Sequence, residues 1–263
     1  MQYYFRVGSY NHNEVPVWVT PSNSPATTGA GNPPLNPTIT QVFITSMTIQ
    51  WGDVSDNTGY TVQASTWSQF TGTIHASTTT ANPDATTLTF NAGDLSPNTT
   101  YWLRVGALYS GATSYALTTP QSTSTLTDFI TGAQVYQTMV TSITVNWIPL
   151  GSAVGYRLEA STSSDYSVPS SSVTSDVGRS TLTVVNLDAY TTYYLRVGGI
   201  NHNGVVNYVV IPATRTTAGP APNAPIITNV YQSSMTVAWG TVPDTGGYVV
   251  DASTSADFTP VES

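Results

Sequence analysis

The sequence contains no cysteine and no lysine, and only 8% of its 263 residues are charged. The absence of cysteine excludes disulfides, thiolate metal sites and cysteine nucleophiles. Ordinary soluble proteins carry about 25% charged residues, so this chain must owe its solubility to uncharged Ser, Thr, Asn and Gln. Its hydrophobic content of 40% is still high enough to build packed cores.

The charge balance excludes two classes of partner. All six basic residues are arginines, they face 14 acidic residues, and the net charge is −8. Binding to nucleic acid needs a basic patch that releases counterions from phosphates, so we expect none. The same deficit disfavours an anionic membrane surface. No apolar run approaches the ~20 residues of a membrane helix, so we expect no membrane insertion.

A long internal repeat organises the chain. Three segments alternate with a period of two and end in tryptophan: SMTIQW (46–51), SITVNW (142–147) and SMTVAW (234–239). Each is followed by a Gly-Tyr pair, with the tyrosine at Tyr60, Tyr156 and Tyr248. Such alternation is typical of a half-buried strand, and no helical period is sustained. Because turn residues separate the strands at short intervals, the sequence predicts all-β sandwiches.

The second half of the unit repeats as well. LSPNTTYWLRVG (95–106) aligns with LDAYTTYYLRVG (187–198), and both align with the opening QYYFRVG (2–8). The arginine of this phrase therefore recurs as Arg6, Arg104 and Arg196. An arginine on a strand that stacks over aromatic side chains is more often structural than catalytic.

The order of these motifs resembles the fibronectin type III domain. The family's strand B tryptophan corresponds to Trp51, Trp147 and Trp239, and its strand C tyrosine to the Gly-Tyr positions. Its E–F corner corresponds to Leu95, Pro97, Thr99 and Tyr101, and then to Leu187, Thr191 and Tyr193, with Ala189 replacing the proline. The resemblance implies tandem immunoglobulin-like β-sandwiches. Since such domains mostly bind, space or scaffold, it also implies a non-enzymatic, secreted protein of the extracellular space or cell surface.

Alignment of the repeats predicts four segments. Two complete domains span residues 28–122 and 123–217. Residues 1–27 supply only strands F and G, and residues 218–263 supply strands A to C. Placed together, the two partial domains lack the stretch that corresponds to residues 172–190, which contains one strand.

Two interpretations of these partial domains stay open. The chain is a piece of a longer repeat array, or the C-terminal half-domain of one subunit receives the N-terminal strands of the next. In the second case a hydrophobic subunit interface forms, and its members are Tyr3, Phe5, Val7, Met235, Val237, Trp239 and Tyr248. Such strand complementation is a head-to-tail contact, which gives open assemblies when it does not close a ring.

Other candidate binding residues are few. His12 and His202 lie in matching Asn-His-Asn loops, which are either ligand loops or plain hairpin turns, because Asn tolerates left-handed conformations. Tyr4, Trp102 and Tyr194 occupy one repeated position. This aromatic stripe could contact a neighbouring subunit or stack on sugars, or shield its own sheet. Scattered carboxylates and the absence of a nucleophile motif or phosphate loop predict no metal, no cofactor and no enzyme.

Two functions of different classes follow. The first is a structural repeat protein of an extracellular filament, tube or surface layer that associates with itself head to tail. The second is an adhesin or carbohydrate-binding module array, a fragment of a longer surface protein, with a protein or glycan as ligand. The first should assemble unaided, whereas the second should stay monomeric until it meets its ligand.

Overall fold

The computed structural model describes residues 2–27, 31–242, 247–256 and 258. The described residues form strands and turns only, with no helix, so the predicted all-β class is confirmed. The chain divides into two compact units. Unit 1 is Met1–Asp128, Ser152–Val154 and Ile200–Asn207, and unit 2 is Phe129–Gly151, Gly155–Gly199 and Tyr208–Ser263. The start of the predicted segment 28–122 and the end of the segment 218–263 lie outside the described residues.

Unit 1 contains a complete sandwich and two small strand pairs. Its strands are β1 (Gln2–Tyr3), β2 (Val7–Tyr10), β3 (Pro16–Val19), β4 (Ala26–Thr27), β5 (Leu35–Val42), β6 (Met47–Gly52), β7 (Tyr60–Ser65), β8 (Ala76–Thr80), β9 (Thr87–Thr89), β10 (Thr100–Tyr109) and β11 (Ala112–Ser124). The order β5-β6-β9 forms one layer and β8-β7-β10-β11 the other. A single parallel bridge between Thr38 and Thr119 connects the two layers. Outside the sandwich, β2 pairs with β3 and β1 with β4.

Unit 2 repeats this arrangement and adds a further hairpin. Its strands are β12 (Thr131–Thr138), β13 (Ser142–Ile148), β14 (Gly155–Ser161), β15 (Ser170–Thr174), β16 (Thr181–Val185), β17 (Thr192–Ile200), β18 (Val206–Arg215), β19 (Asn223–Val230) and β20 (Met235–Gly240). One sheet has the order β12-β13-β16 and the other β15-β14-β17-β18, while β19 pairs with β20. Three strands facing four is the seven-stranded arrangement expected of this sandwich class.

The repeated tryptophan and tyrosine form the centre of each sandwich. The Trp51 and Tyr60 rings lie 5.2 Å apart, and so do the Trp147 and Tyr156 rings. All four side chains are buried. Tyr101 completes the predicted tyrosine corner, because its phenol oxygen accepts the Ser96 N–H at 3.0 Å. A buried aromatic supplies the most apolar area at such a position, and the corner satisfies a backbone donor where the chain crosses between sheets.

Hydroxyl pairs cross the outward faces of the sheets. The Thr48 and Thr89 hydroxyls lie 2.8 Å apart across β6 and β9, and the Thr144 and Thr183 hydroxyls lie 2.9 Å apart across β13 and β16. Threonine suits a strand because its branched carbon packs on the pleated surface, and paired hydroxyls stabilise neighbouring strands. These hydroxyl pairs thus make the cross-strand contacts that pairs of opposite charges make on many other sheets.

β18 continues to Arg215, inside the predicted domain 123–217, and it can contain Pro212 because it is an edge strand. One local expectation from sequence is corrected. By alignment with β10, residues 2–8 (QYYFRVG) are predicted to form one continuous strand. In the structure, β1 ends at Tyr3 and β2 begins only at Val7. Among the described residues, β2 pairs with β3 alone, whereas the equivalent strand β10 pairs with β7 on one edge and β11 on the other.

Trypsin should therefore cut the folded chain first at Arg6 and Arg179. Arg6 lies between two strands and Arg179 in an exposed turn, while Arg104, Arg157 and Arg196 lie inside strands and are half-buried. Cleavage needs local opening of the backbone, which a paired strand resists. Mass spectrometry of timed digests at low protein concentration measures the order of cleavage. Early cutting at Arg104 or Arg196 would contradict the strand placement.

Candidate interaction surfaces

The complete sandwich of unit 1 shows how the repeated apolar positions are normally used. Met47, Ile49 and Trp51 on β6 belong to the same core cluster as Tyr101, Leu103 and Val105 on β10, and all six side chains are buried. These residues come from opposite sheets. The inner faces of strands B and F therefore bury one another in a complete domain.

The same strand B pattern is exposed in the last segment of unit 2. Met235, Val237 and Trp239 occupy the positions of Met47, Ile49 and Trp51. Met235 is 66% exposed, and Val237 and Trp239 are only half-buried. Two open cavities of about 310 and 550 Å³ share Val237 and Val250 in their walls. This inner face is thus uncovered.

The local packing of that segment is nevertheless native-like. The Trp239 and Tyr248 rings lie 5.3 Å apart, as in the two complete sandwiches. The Val242 N–H donates to the Tyr248 phenol oxygen at 2.7 Å, which repeats the bond from Leu150 N–H to Tyr156. Trp239 and Tyr248 therefore keep the contact that their counterparts make in a complete sandwich, although residues 247–251 form no strand.

The strand F pattern is exposed in the first segment of unit 1. Tyr3, Phe5 and Val7 correspond to the buried Tyr101, Leu103 and Val105, but Phe5 is 53% exposed and Val7 69% exposed. The Tyr3 and Phe5 rings lie 6.3 Å apart. Alignment of the repeats predicts an uncovered face at these three positions, and all three side chains lie at the surface.

An arginine clamp recurs beside the F strand, and sequence reasoning had not assembled it. In unit 1 the Arg104 guanidinium lies 4.2 Å from the Phe70 ring centroid and 3.8 Å from that of Tyr115. Its Nε and Nη2 donate to Gln63 Oε1 at 2.9 and 2.7 Å. The clamp thus consists of a strand F arginine, a ring on each side and an acceptor on strand C, and its stacking follows from the quadrupole of the rings.

Unit 2 builds the same clamp with a charged acceptor. Arg196 lies 4.2 Å from the Tyr166 ring and 4.1 Å from the Tyr208 ring. It contacts Glu159 Oε2 through Nη2 at 2.6 Å, and Arg157 lies 3.9 Å from the other carboxylate oxygen. Tyr208 donates its hydroxyl to Glu159 Oε1 at 2.6 Å. Glu159 is buried, so these partners compensate its charge.

Unfolding of unit 2 should become easier between pH 10 and about 12. Burial and, after it, the hydrogen bond to the Glu159 carboxylate together raise the pKa of Tyr208 to about 12. A folded-state pKa above the ordinary value near 10 stabilises the fold below pH 10, and this stabilisation is lost as pH rises towards 12. Urea unfolding at a series of alkaline pH values tests this, with Tyr208→Phe as the comparison. An unchanged pH dependence in Tyr208→Phe would refute the assignment to Tyr208.

The two Asn-His-Asn loops share a fold but differ in exposure. Asn201 Oδ1 accepts the N–H of Asn203 and Val205, and Asn11 Oδ1 accepts the N–H of Asn13 and Val15. Both loops are thus hairpin turns closed by their first asparagine. Asn201 is only 1% exposed, because its amide also donates to the Ser124 and Thr125 carbonyls. Asn11 is exposed.

The histidines of these loops have different surroundings. The His202 side chain is exposed while its backbone N–H donates to Asn98 Oδ1 at 2.8 Å, so unit 1 already uses this loop for internal contacts. His12 is exposed in the open copy of the loop. A ligand role for either histidine stays a prediction.

The three residues of the aromatic stripe also differ in exposure. Tyr4 is 78% exposed, Tyr194 is exposed to a smaller extent and Trp102 is half-buried. Trp102 pairs across the sheet with Ser65 and Ser122. A second exposed ring, Trp67 at 66%, lies in the turn after β7. Whether the stripe binds anything stays a prediction.

Conventional chemical sites are not found in the described part of the chain. No group of three or more His, Cys, Asp or Glu side chains is placed to hold a metal ion there. The same residues include no helix long and apolar enough to cross a membrane.

The comparisons with known proteins identify the class of the second sandwich. Residues 130–208 match the family model described as Fibronectin type III domain. This segment, which contains the Trp147–Tyr156 pair and the Arg196 clamp, is therefore similar to a fibronectin type III domain. The predicted resemblance is thereby confirmed, and the sandwich of unit 1 has the same strand arrangement. Domains of this class are generally non-enzymatic modules of structural and adhesion proteins.

Two solved structures resemble the chain more distantly. A two-domain fibronectin type III segment of chicken tenascin is 16% identical, with 70% of this chain and 99% of that chain covered and a TM-score of 0.42. The FN1–FN3 domains of chicken CNTN1 are 20% identical, with 82% and 77% covered and a TM-score of 0.32. No curated protein matches the sequence.

Proposed function

We propose that the protein is a non-enzymatic structural repeat protein of an extracellular or cell-surface assembly, in which chains join head to tail by completing each other's terminal half-domains. One observation carries the proposal. The strand B and strand F faces that bury one another in the complete sandwich of unit 1 are both uncovered in residues 3–7 and 235–240. The occupant of each face is therefore a second copy of this chain.

The energetics favour such pairing. Burying one large apolar side chain contributes about 1.5–3 kcal/mol. Covering half of the seven interface residues would contribute about 5–10 kcal/mol, which offsets an association cost at the lower end of the usual 4–15 kcal/mol. A hairpin such as β19–β20 with an uncovered apolar face is marginal in water. Pairing with a second chain removes that exposure.

The geometry of the contact determines the type of assembly. The two faces differ in sequence and lie on different segments, so each chain offers one face of each kind. Contacts of this heterologous type continue from chain to chain unless the rotation closes a ring. They also cover sheet edges that would otherwise remain open to nonspecific pairing. A filament, or a tube or layer built from filaments, is the expected product.

The full chain and a variant lacking residues 1–20 test the proposal. The full chain should form polymers in negative-stain electron microscopy and give a rising mass in light scattering with concentration. The truncated chain should keep both complete sandwiches folded, as measured by circular dichroism, but remain monomeric. A monodisperse monomer of the full chain at all concentrations would sink the proposal.

A point variant provides a sharper version of the same test. Phe5→Asp adds a charge to an exposed side chain, so it should leave folding intact and abolish assembly. The matched control is Val210→Asp, because Val210 is an exposed apolar residue on β18 of a complete sandwich. The control should assemble normally. Equal assembly by both variants would exclude Phe5 from the interface.

The exposed Trp67 favours a second candidate function, that of an adhesin or carbohydrate-binding array. Exposed tryptophan rings can stack on apolar faces of ligands while keeping their N–H available. A glycan array probed with the full chain and with Trp67→Ala tests this candidate. Binding that is lost in Trp67→Ala, from a chain that stays monomeric, would favour it over the structural role.

A further inference from the structure

The arginine clamp has a third copy, and its two halves lie on different segments. Arg6 stands where Arg104 and Arg196 stand in the complete sandwiches, and its guanidinium lies 4.1 Å from the Trp18 ring centroid. Trp18 occupies the strand G position of Tyr208. Gly8 leaves room for this ring, because a Cβ at Gly8 would lie only 2.7 Å from a ring carbon of Trp18. The first segment thus contains the arginine and one of its two rings.

The missing ring and the missing acceptor are present in the last segment. QASTWSQF (63–70) and EASTSSDY (159–166) begin with the clamp acceptor and end with its second ring. DASTSADF (251–258) has the same form, so Asp251 corresponds to Glu159 and Phe258 to Tyr166. Both side chains are exposed.

The turn that positions the second ring is already formed in this third copy. Phe258 has a φ of 57°, and Phe70 and Tyr166 have the same left-handed conformation at 53° and 58°. Left-handed backbone is uncommon for aromatic residues, so its recurrence is a property of the turn. The Phe258 N–H donates to the Ser255 carbonyl at 3.1 Å, as the Tyr166 N–H does to Ser163.

We infer that Arg6 of one chain completes its clamp with Asp251 and Phe258 of a second chain. This inference rests on the proposed head-to-tail assembly and specifies its contact. Phe258 covers the guanidinium face opposite Trp18, and Asp251 accepts the hydrogen bonds that Glu159 accepts from Arg196. In a chain with only 8% charged residues, one opposite-charge pair is a strong determinant of register and partner choice. The apolar faces drive association and the clamp selects the correct partner.

Charge reversal tests the pair. Arg6→Asp and Asp251→Arg should each raise the concentration needed for assembly at least tenfold, because each places like charges together. A mixture of the two variants should assemble like the unmodified protein. In the mixture, the carboxylate introduced at position 6 of one variant meets the guanidinium introduced at position 251 of the other, and the native pair remains at the alternate contacts. Rescue by mixing identifies a contact between chains.

Matched controls separate this pair from a general charge effect. Arg179→Asp and Asp84→Arg make the same changes of charge in exposed loops of the complete sandwiches. Both should assemble at the unmodified concentration. Phe258→Ala should weaken assembly several-fold without reversing any charge, because it removes only the second ring.

The outcomes distinguish the inference from the function on which it rests. If the unmodified chain assembles and Arg6→Asp assembles equally well, the clamp is wrong and the assembly stands. A variant that carries both Arg6→Asp and Asp251→Arg in one chain provides the last comparison. If this double variant assembles but the mixture of single variants does not, the contact is within a chain and the inference is overturned. If the unmodified chain never assembles, the proposed function itself fails.

Discussion

Replacement of Trp147 by alanine is expected to lower the free energy of unfolding of its sandwich by about 3–5 kcal/mol, the usual cost of removing a buried aromatic side chain. Trp147 is buried and packs on Tyr156 at 5.2 Å. Its indole N–H makes no hydrogen bond among the described residues, so the loss is one of packing. Since a domain is stable by only about 5–15 kcal/mol, calorimetry should show a large downward shift of one transition.

Trp239 provides the matched comparison within the same chain. It has the same tyrosine neighbour but is half-exposed, so Trp239→Ala should change the stability of the complete sandwiches by less than about 0.5 kcal/mol. It should instead abolish assembly, because it removes the largest side chain of the uncovered strand B face. A stability loss equal to that of Trp147→Ala would show that Trp239 is buried in the isolated chain.

Arg196→Met should destabilise unit 2 by about 3 kcal/mol, at the lower end of the cost of breaking a buried ion pair. The change leaves the buried Glu159 carboxylate with the more distant Arg157 and the Tyr208 hydroxyl as its partners. Methionine keeps the apolar length of the side chain, so the lost charge dominates. Hydrogen exchange measured by mass spectrometry should show faster exchange in β14 and β17.

Arg104→Met in unit 1 is the natural control for this change. Its acceptor is the neutral Gln63, so removal of the arginine leaves no buried charge uncompensated. We expect about half the destabilisation, because a neutral acceptor that loses its partner costs less than a buried carboxylate does. Equal losses in the two variants would mean that ring stacking, which both clamps share, supplies most of the energy.

The core of the fold could be predicted because the same apolar residues recur at matching positions in three repeats. Trp51, Trp147 and Trp239 end alternating strands, and period-two alternation fixes which side chains point inward. The tyrosine at each corner follows from the same alignment. The same alignment shows that the exposed Phe5 and the half-buried Val237 occupy positions that are buried elsewhere in the chain.

Contacts that join distant residues could not be predicted in this way. Arg104 meets Gln63, Phe70 and Tyr115, and no spacing in the sequence marks the first two as neighbours of the arginine. The left-handed backbone of Phe70 was equally hidden, because aromatic residues rarely adopt it and glycine is the usual signal. The break at Arg6 was hidden as well, because the residues around it predict a continuous strand.

The threonine pairs on the outward faces affect how the stability of the sandwiches depends on salt concentration. The Thr48–Thr89 and Thr144–Thr183 pairs stabilise neighbouring strands without carrying charge. Dissolved ions screen charges but leave hydroxyl pairs almost untouched. Apart from the clamps, the described sheets therefore contain few charged contacts that salt could screen. Sandwiches built in this way should keep their shape across changes of salinity that would loosen a protein stabilised by surface ion pairs.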